Sequence, residues 1–292
     1  MQKCWFITGA SRGLGVDIAR AALAAGDCVV ATGRDPEQVH AALGERECLL
    51  VARLDVTRKD DIQAAVDAAI ERFGGIDVLV NNAGYGHLGF FEETTDADVH
   101  AQFDSNVFGL MQVTRAVLPT MRLARNGHIF NLSSLAGLRG SAFSSLYCAS
   151  KFAVEGFSEA LAEELAPFGV RVTIVEPGPF RTDFLSTRSL RVGGERLQDY
   201  NPVRDGIRAT FEARNGRQAG DPAKLARALV ELANDPRPPL RFLAGAAAFE
   251  AGTQKLNRMR TEMDAWRAAG VATDGAYDDA RQWQPPAPSV TA

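Results

Sequence analysis

Residues 8 to 15 read Thr8, Gly9, Ala10, Ser11, Arg12, Gly13, Leu14, Gly15, between an apolar run from Cys4 to Thr8 and a segment of helical period from Val16 to Ala25. A strand that feeds a helix through three glycines has a specific use. Glycine tolerates positive φ and lets the backbone come close to a ligand, so the loop N–H groups and the positive end of the helix dipole can converge on one point. A pyrophosphate fits there. A tight turn without a ligand could carry the same glycines. The order strand, glycines, helix favours a nucleotide loop, with Gly9, Ser11, Arg12, Gly13, Leu14 and Gly15 as its contacts.

The alternation continues outward from this loop. Short apolar runs at Cys4 to Thr8, Cys28 to Ala31, Cys48 to Leu54, Val78 to Asn81, His128 to Leu132, Arg171 to Val175 and Leu240 to Leu243 read as seven strands. Helical period marks Val16 to Ala25, Pro36 to Leu43, Ile62 to Phe73 (closed by Gly74), Asp96 to Met121, Ser145 to Ala166 and Asp221 to Asn234. Apolar strands separated by helices predict an α/β fold: a Rossmann-type, doubly wound, parallel seven-stranded sheet with helices on both faces. At 292 residues and 46% apolar content, one domain over residues 1–245 is expected. Within it, the stretch 179–220, with its Pro, Gly and Arg, reads as a substrate loop or lid. Residues 246–281, with a helix over Phe249 to Ala269, read as a C-terminal extension, and 282–292 as a disordered tail.

Composition narrows the partners. Thirty-two Lys plus Arg against thirty-six Asp plus Glu give a net charge of −4, and the Arg are scattered, which argues against nucleic acid. No apolar run is long enough for a membrane span, and Met1, Gln2 and Lys3 lead straight into the first strand without a signal-peptide design, so a cytoplasmic location is expected. Cys4, Cys28, Cys48 and Cys148 mostly lie in apolar runs and lack paired ligand spacing, and the four His are dispersed. Reduced thiols and no metal are expected.

Tyr147 and Lys151 stand four residues apart, which on a helix puts a phenol and an ammonium on one face. A fixed cation stabilises a phenolate and lowers its pKa from about 10. Tyr147 is thus a candidate acid/base. Past the second strand, where a side chain reads the cofactor's ribose, the chain offers Gly33, Arg34 and Asp35. Arg34 with Arg12 could flank a 2′-phosphate, which favours NADP(H) over NAD(H), with Asp35 as the competing acid.

The glycine loop, the run Asn81, Asn82, Ala83, Gly84 and the pair Tyr147 with Lys151 together resemble the short-chain dehydrogenase/reductase family over about residues 3–245. Taken singly, Ser134 could be a loop serine, Asn106 a mid-helix polar residue and Lys151 a solvated charge; their joint order argues otherwise. The resemblance implies a hydride-transferring oxidoreductase. Its serine, thirteen residues before the tyrosine, selects Ser134 over Ser133, and its asparagine matches Asn106. The expected catalytic set is therefore Asn106, Ser134, Tyr147 and Lys151. The resemblance also puts Asp55 and Val56 at the adenine, Asn82, Ala83 and Gly84 in the cofactor region, Lys151 on the nicotinamide ribose, and Pro177, Gly178 and Thr182 at the nicotinamide.

In this scheme Tyr147 protonates the oxygen, Ser134 holds it, and Lys151 tunes the phenol and passes protons through Asn106 and water. Tyr85, His87, Leu88, Leu138, Phe143, Phe180, Phe184 and Leu185 are expected to line the pocket. Their mostly apolar character suggests a bulky lipophilic carbonyl or alcohol, and the run Asn82, Ala83, Gly84, Tyr85, Gly86 resembles the family's branch containing hydroxysteroid and retinol dehydrogenases. An NAD-dependent alcohol dehydrogenase and a non-catalytic NADP-sensing interaction protein are the alternatives. Family members pair through two long helices, so a homodimer or homotetramer is expected.

Overall fold

A computed structural model describes residues 2–182, 190–192, 196–214 and 216–275 of the chain. Phe184, Leu185 and the tail 282–292 lie outside them.

Seven parallel strands form one sheet: β1 (Cys4–Ile7), β2 (Cys28–Gly33), β3 (Leu49–Arg53), β4 (Val78–Asn81), β6 (Gly127–Leu132), β7 (Val170–Pro177) and β9 (Arg241–Ala244), in the order β3-β2-β1-β4-β6-β7-β9. Period-two alternation on β1 sends Trp5 and Ile7 to one face and Cys4 and Phe6 to the other. On the first face they meet Ile18 of α1 (Gly13–Ala24), Val39 of α2 (Pro36–Leu43) and Leu229 of α9 (Pro222–Asn234). On the second they meet Val66 of α3 (Lys59–Phe73), Val113 of α5 (Gly109–Ala124) and Leu161 of α7 (Ser145–Leu165). Both faces of the sheet are therefore covered by helices, as strands with apolar residues on both sides require.

The order of the strands reverses between β1 and β4. In an open α/β sheet the crevice at such a switch point, beyond the carboxyl ends of the strands, is where ligands bind. The glycine loop leaves β1 and the Asn82 turn leaves β4 at that place.

Two expectations are corrected. The segment Asp96 to Met121 is not one regular helix: α4 (Asp96–Phe103) passes into a π turn at Asp104–Phe108 before α5 continues to Ala124. Asn106 sits on that turn, and one extra residue per turn does not disturb a three-to-four apolar period enough to be seen in sequence.

The stretch expected as loop also carries structure. A short strand, β8 (Leu190–Val192), pairs parallel with β5 (Gly86–Leu88), and Asn201–Arg214 forms α8. Arg204 of α8 and Glu93, 8% and 4% exposed, form a buried ion pair. Tyr200 stacks on Phe90 at 4.1 Å between ring centroids and donates to Glu92 at 2.8 Å. The partners come from residues about 110 positions apart, so no local pattern announces them.

Candidate active site

The glycine loop is built by its contacts with the β4 turn. Gly9 and Gly13 have φ of +69° and +56°, in the left-handed region that favours glycine. A Cβ on Gly15 would lie 2.4 Å from the Gly9 carbonyl oxygen and 2.7 Å from Asn82 Nδ2, so the turn closes only around a hydrogen. Asn82 Nδ2 donates to the carbonyls of Thr8 (2.9 Å) and Gly9 (3.1 Å), and the Thr8 hydroxyl accepts from the Asn82 and Ala83 N–H groups at 3.0 Å each. Asn82 thus holds the loop open from behind. The side chain of Arg12, the N-cap residue of α1, makes no capping bond to the first turn. That helix end, with glycine in front of it, fits a dinucleotide's phosphates. Across the opening, Gly13 faces Thr182. Pro177 ends β7, and Gly178 donates to the Ala244 carbonyl at 3.0 Å, which fixes the start of the segment that carries Thr182.

At the second strand, Asp35 is committed. Its carboxylate caps α2, accepting from the Glu37 N–H (3.0 Å), the Gln38 N–H (3.4 Å) and Gln38 Nε2 (2.7 Å). Arg34 is exposed beside it. Burial raises the Asp55 carboxyl's pKa, but bonds from the Thr57 N–H and hydroxyl, with the charges of Arg34 and Arg58, bring it below the usual value. Buried Val56 packs where a Cβ on Gly109 would stand, 2.7 Å from its Cγ2.

One face of α7 lies along the end of β6. Tyr147 hydrogen-bonds Ser134, Lys151 Nζ donates to the Leu132 carbonyl at 2.6 Å, Glu155 accepts from the Ser133 hydroxyl, and the Ser158 hydroxyl accepts from Asn131 Nδ2 at 2.8 Å. The adjacent serines are therefore separated by function of direction: Ser134 turns to the phenol and Ser133 to Glu155. Asn106 is 2% exposed and clamps the β4–β5 turn. Its Oδ1 accepts from the Tyr85 N–H (3.1 Å), and its Nδ2 donates to the Tyr85 carbonyl (2.9 Å) and to Ser150 Oγ (3.2 Å). With every amide position engaged, the side chain holds Gly84 and Tyr85 in place; a proton relay at Asn106 would have to use its main chain.

The family follows from comparison with known proteins. A model of the short chain dehydrogenase family matches residues 3–192. The chain is a short-chain dehydrogenase/reductase. It is an oxidoreductase acting on CH–OH and C=O groups.

Oxidoreductase BOA17 of Botryotinia fuckeliana is 38% identical to this dehydrogenase/reductase over 275 residues, 94% of this chain and 100% of the relative. The 3-ketodihydrosphingosine reductase of Bacteroides thetaiotaomicron is 39% identical, over 82% and 86%. Human retinol dehydrogenase 8 is 37% identical, over 80% and 79%. Among solved structures, a short-chain dehydrogenase from Streptomyces avermitilis superposes with a TM-score of 0.83 at 39% identity, covering 94% of this chain and all of the other. A Burkholderia phymatum relative in complex with NAD gives 0.77 at 25% identity, over 91% and 95%. ElxO with NADP bound gives 0.70 at 26% identity, over 86% and 100%.

The electrostatics of this dehydrogenase/reductase differ from expectation in one respect. Burial pushes the Tyr147 phenol up to about 12, against the lowering effect of the Ser134 bond and with a further rise from Cys148. The expected depression by Lys151 does not outweigh burial: its ammonium donates to the Leu132 carbonyl and stands 5.8 Å from the centre of the Tyr147 ring. Burial brings Lys151 itself down to about 8, although the charge of Glu155 raises it.

Of the expected pocket residues, Leu88 and Phe143 are buried beside the site, and Phe143 has φ +67°, held by the bond from the Gly89 N–H to its carbonyl at 2.9 Å. Leu138 ends the short helix α6 (Leu135–Leu138), which Ser134 caps. His87 is 1% exposed with Asp98 3.6 Å away, consistent with a wall. Phe180 is a correction. Its ring packs where a Cβ on Gly220 would come within 2.6 Å, and it joins the core under α1 and α9.

Sequence reasoning passed over the cluster behind the site: Glu155, Glu176 and Arg241. The first was readable, eight residues past Tyr147 on the same helical face. The other two come from β7 and β9 and meet it only through the sheet.

No helix among the described residues is long and apolar enough to cross a membrane.

Proposed function

We propose that this enzyme reduces a bulky, lipophilic ketone or aldehyde with NADPH, or oxidises the corresponding secondary alcohol, with Asn106, Ser134, Tyr147 and Lys151 as its catalytic set. The observation that carries the reading is the placement of Tyr147 against Ser134, with Lys151 one turn further along α7 and its buried ammonium bonded to the Leu132 carbonyl at the end of β6.

NADP(H) is supported by the commitment of Asp35 to the α2 cap, which removes it from competition for a ribose hydroxyl and leaves exposed Arg34 for a 2′-phosphate. Gly9, Ser11, Arg12, Gly13, Leu14, Gly15, Asp55, Val56, Asn82, Ala83, Gly84, Pro177, Gly178 and Thr182 complete the binding groove. A lipophilic substrate is supported by the buried apolar side chains of Leu88 and Phe143, and by the names of two relatives, a 3-ketodihydrosphingosine reductase and a retinol dehydrogenase.

A nicotinamide held there supplies the hydride. As negative charge grows on the substrate oxygen, Ser134 donates a hydrogen bond to it and Tyr147 transfers its proton. A phenol at about 12 stays protonated throughout the neutral range, which suits an acid in carbonyl reduction. The Lys151 ammonium then stabilises the phenolate left behind.

The test is a screen of NADPH oxidation over ketones and aldehydes of graded size, repeated with Tyr147→Phe. The variant is expected to lose turnover by at least about 1,000-fold, within the range for removal of a general acid, while NADPH binding, read by fluorescence, stays within about twofold of wild type. Near-full activity in Tyr147→Phe overturns the assignment.

We also propose a homodimer or homotetramer built on the α4–α5 and α7 helices, where Phe108 and Phe152 are 47% and 44% exposed. Size-exclusion chromatography with light scattering reads it directly.

A further inference from the structure

Behind the Ser134 turn lies a buried charge cluster that hydride transfer does not itself require. Glu155 is 6% exposed and Glu176 fully buried, and carboxylates are seldom placed so without a purpose or a partner. Arg241 of β9 supplies the partner. Its Nη1 bonds Glu155 and, at 2.9 Å, Glu176, while its Nη2 bonds the more exposed Glu159. The other oxygen of Glu155 accepts from Ser133. A Cβ on Gly137 would stand 2.5 Å from Ser133 Oγ and 2.8 Å from Glu155 Oε1, so the turn after β6 is pressed against this carboxylate.

The same turn is gripped from the same helix one turn earlier, where Lys151 binds the Leu132 carbonyl. Residues 132, 133 and 134 are therefore each held by α7, through Lys151, Glu155 and Tyr147 in turn.

We propose that Glu155, anchored by Arg241, is a positioning residue for the reaction: through Ser133 it sets the direction of the Ser134 hydroxyl, and its charge keeps the Lys151 ammonium protonated in a buried place. The inference rests on the catalytic reading given above. The groups that face Glu155 are Lys151 and Glu159 on its own helix, Ser133 after β6, Glu176 on β7 and Arg241 on β9. Burial, then the neighbouring Glu155, raises the Glu176 carboxyl to about 7, so near neutrality Glu176 is partly protonated beside Arg241.

Geometry and charge predict separable effects. Carbonyl reduction should fall on the alkaline side as Lys151 loses its proton near pH 8. Glu155→Gln keeps an acceptor for Ser133 but removes the charge, so this alkaline limb should move about half a unit to one unit lower, the scale of one nearby charge at a partly screened site. Ser133→Ala leaves the charge and removes the tether. It should lower kcat on the order of tenfold through misdirection of Ser134, with KM and NADPH affinity nearly unchanged and the alkaline limb in place.

The experiment is a pH profile of kcat and kcat/KM for wild type, Glu155→Gln, Ser133→Ala and Tyr147→Phe, using NADPH and the best carbonyl from the graded screen. A Glu155→Gln profile that superimposes on wild type, or a Ser133→Ala enzyme with undiminished kcat, overturns the proposal while Tyr147→Phe remains inactive. An active Tyr147→Phe instead overturns the catalytic reading beneath it. Should Glu155→Gln fail to fold, the kcat of Ser133→Ala decides alone.

Discussion

Arg34 and Asp35 are neighbours of opposite charge at the end of β2, and the fold gives them different work. Asp35, itself exposed, turns its carboxylate onto the first turn of α2 and caps it, where it also meets the positive end of the helix dipole. Arg34 is left exposed near Asp55. Arg34→Ala should therefore raise the KM for NADPH roughly ten- to hundredfold, the worth of one or two charge-assisted hydrogen bonds, and leave the KM for NADH within about twofold. Steady-state kinetics with both cofactors checks this, and an equal loss for both removes Arg34 from any phosphate role. At this scale much was legible. Tyr147, Lys151 and Ser134 could be picked out because helical spacing and order along the chain are written in the sequence. The Tyr147 pKa could not, since it depends on how deeply α7 is buried and on where Lys151 points, which are products of packing.

Elements show a similar division. The seven strands of the main sheet and the helices that cover it were readable because each carries its own apolar period. The π turn at Asp104–Phe108 was hidden inside such a period, and α8 was hidden by its polar composition. What keeps α8 in place is non-local: the Glu93–Arg204 pair, the Leu197 N–H bonded to the same Glu93 carboxylate at 2.9 Å, and the Phe90–Tyr200 stack. Breaking one side of a buried ion pair costs about 3–5 kcal/mol when the other charge is stranded. Arg204→Met should therefore loosen α8 and not the sheet. Hydrogen exchange is expected to accelerate at least tenfold over residues 201–214 with protection of β1, β4 and β6 unchanged, and kcat/KM should fall. Unaltered protection of α8 would mean that the aromatic stack alone suffices.

The whole molecule closes its two cores before the last helix is reached. Both apolar clusters are complete by Ala244, and of α10 (Ala246–Val271) only Ala248, Ala251 and Gly252 are buried. A Cβ on Gly252 would press on Leu243 at 2.9 Å, so the first two turns pack on the end of the sheet. Beyond them Leu256, Met263 and Trp266 are 69%, 69% and 74% exposed, and Arg258 with Glu262 and Arg260 with Asp264 form solvated pairs one turn apart that contribute little. The outer part of α10 therefore adds almost nothing to the stability of a single chain. A protein ending after Thr253 should keep its cofactor site and unfold within about 4 °C of the full chain, equivalent to about 1 kcal/mol for a domain of this size. Calorimetry of both proteins at several concentrations checks this. A loss of more than about 10 °C that grows with dilution of neither protein would place stabilising contacts of α10 within its own chain, contrary to the exposure of its apolar residues.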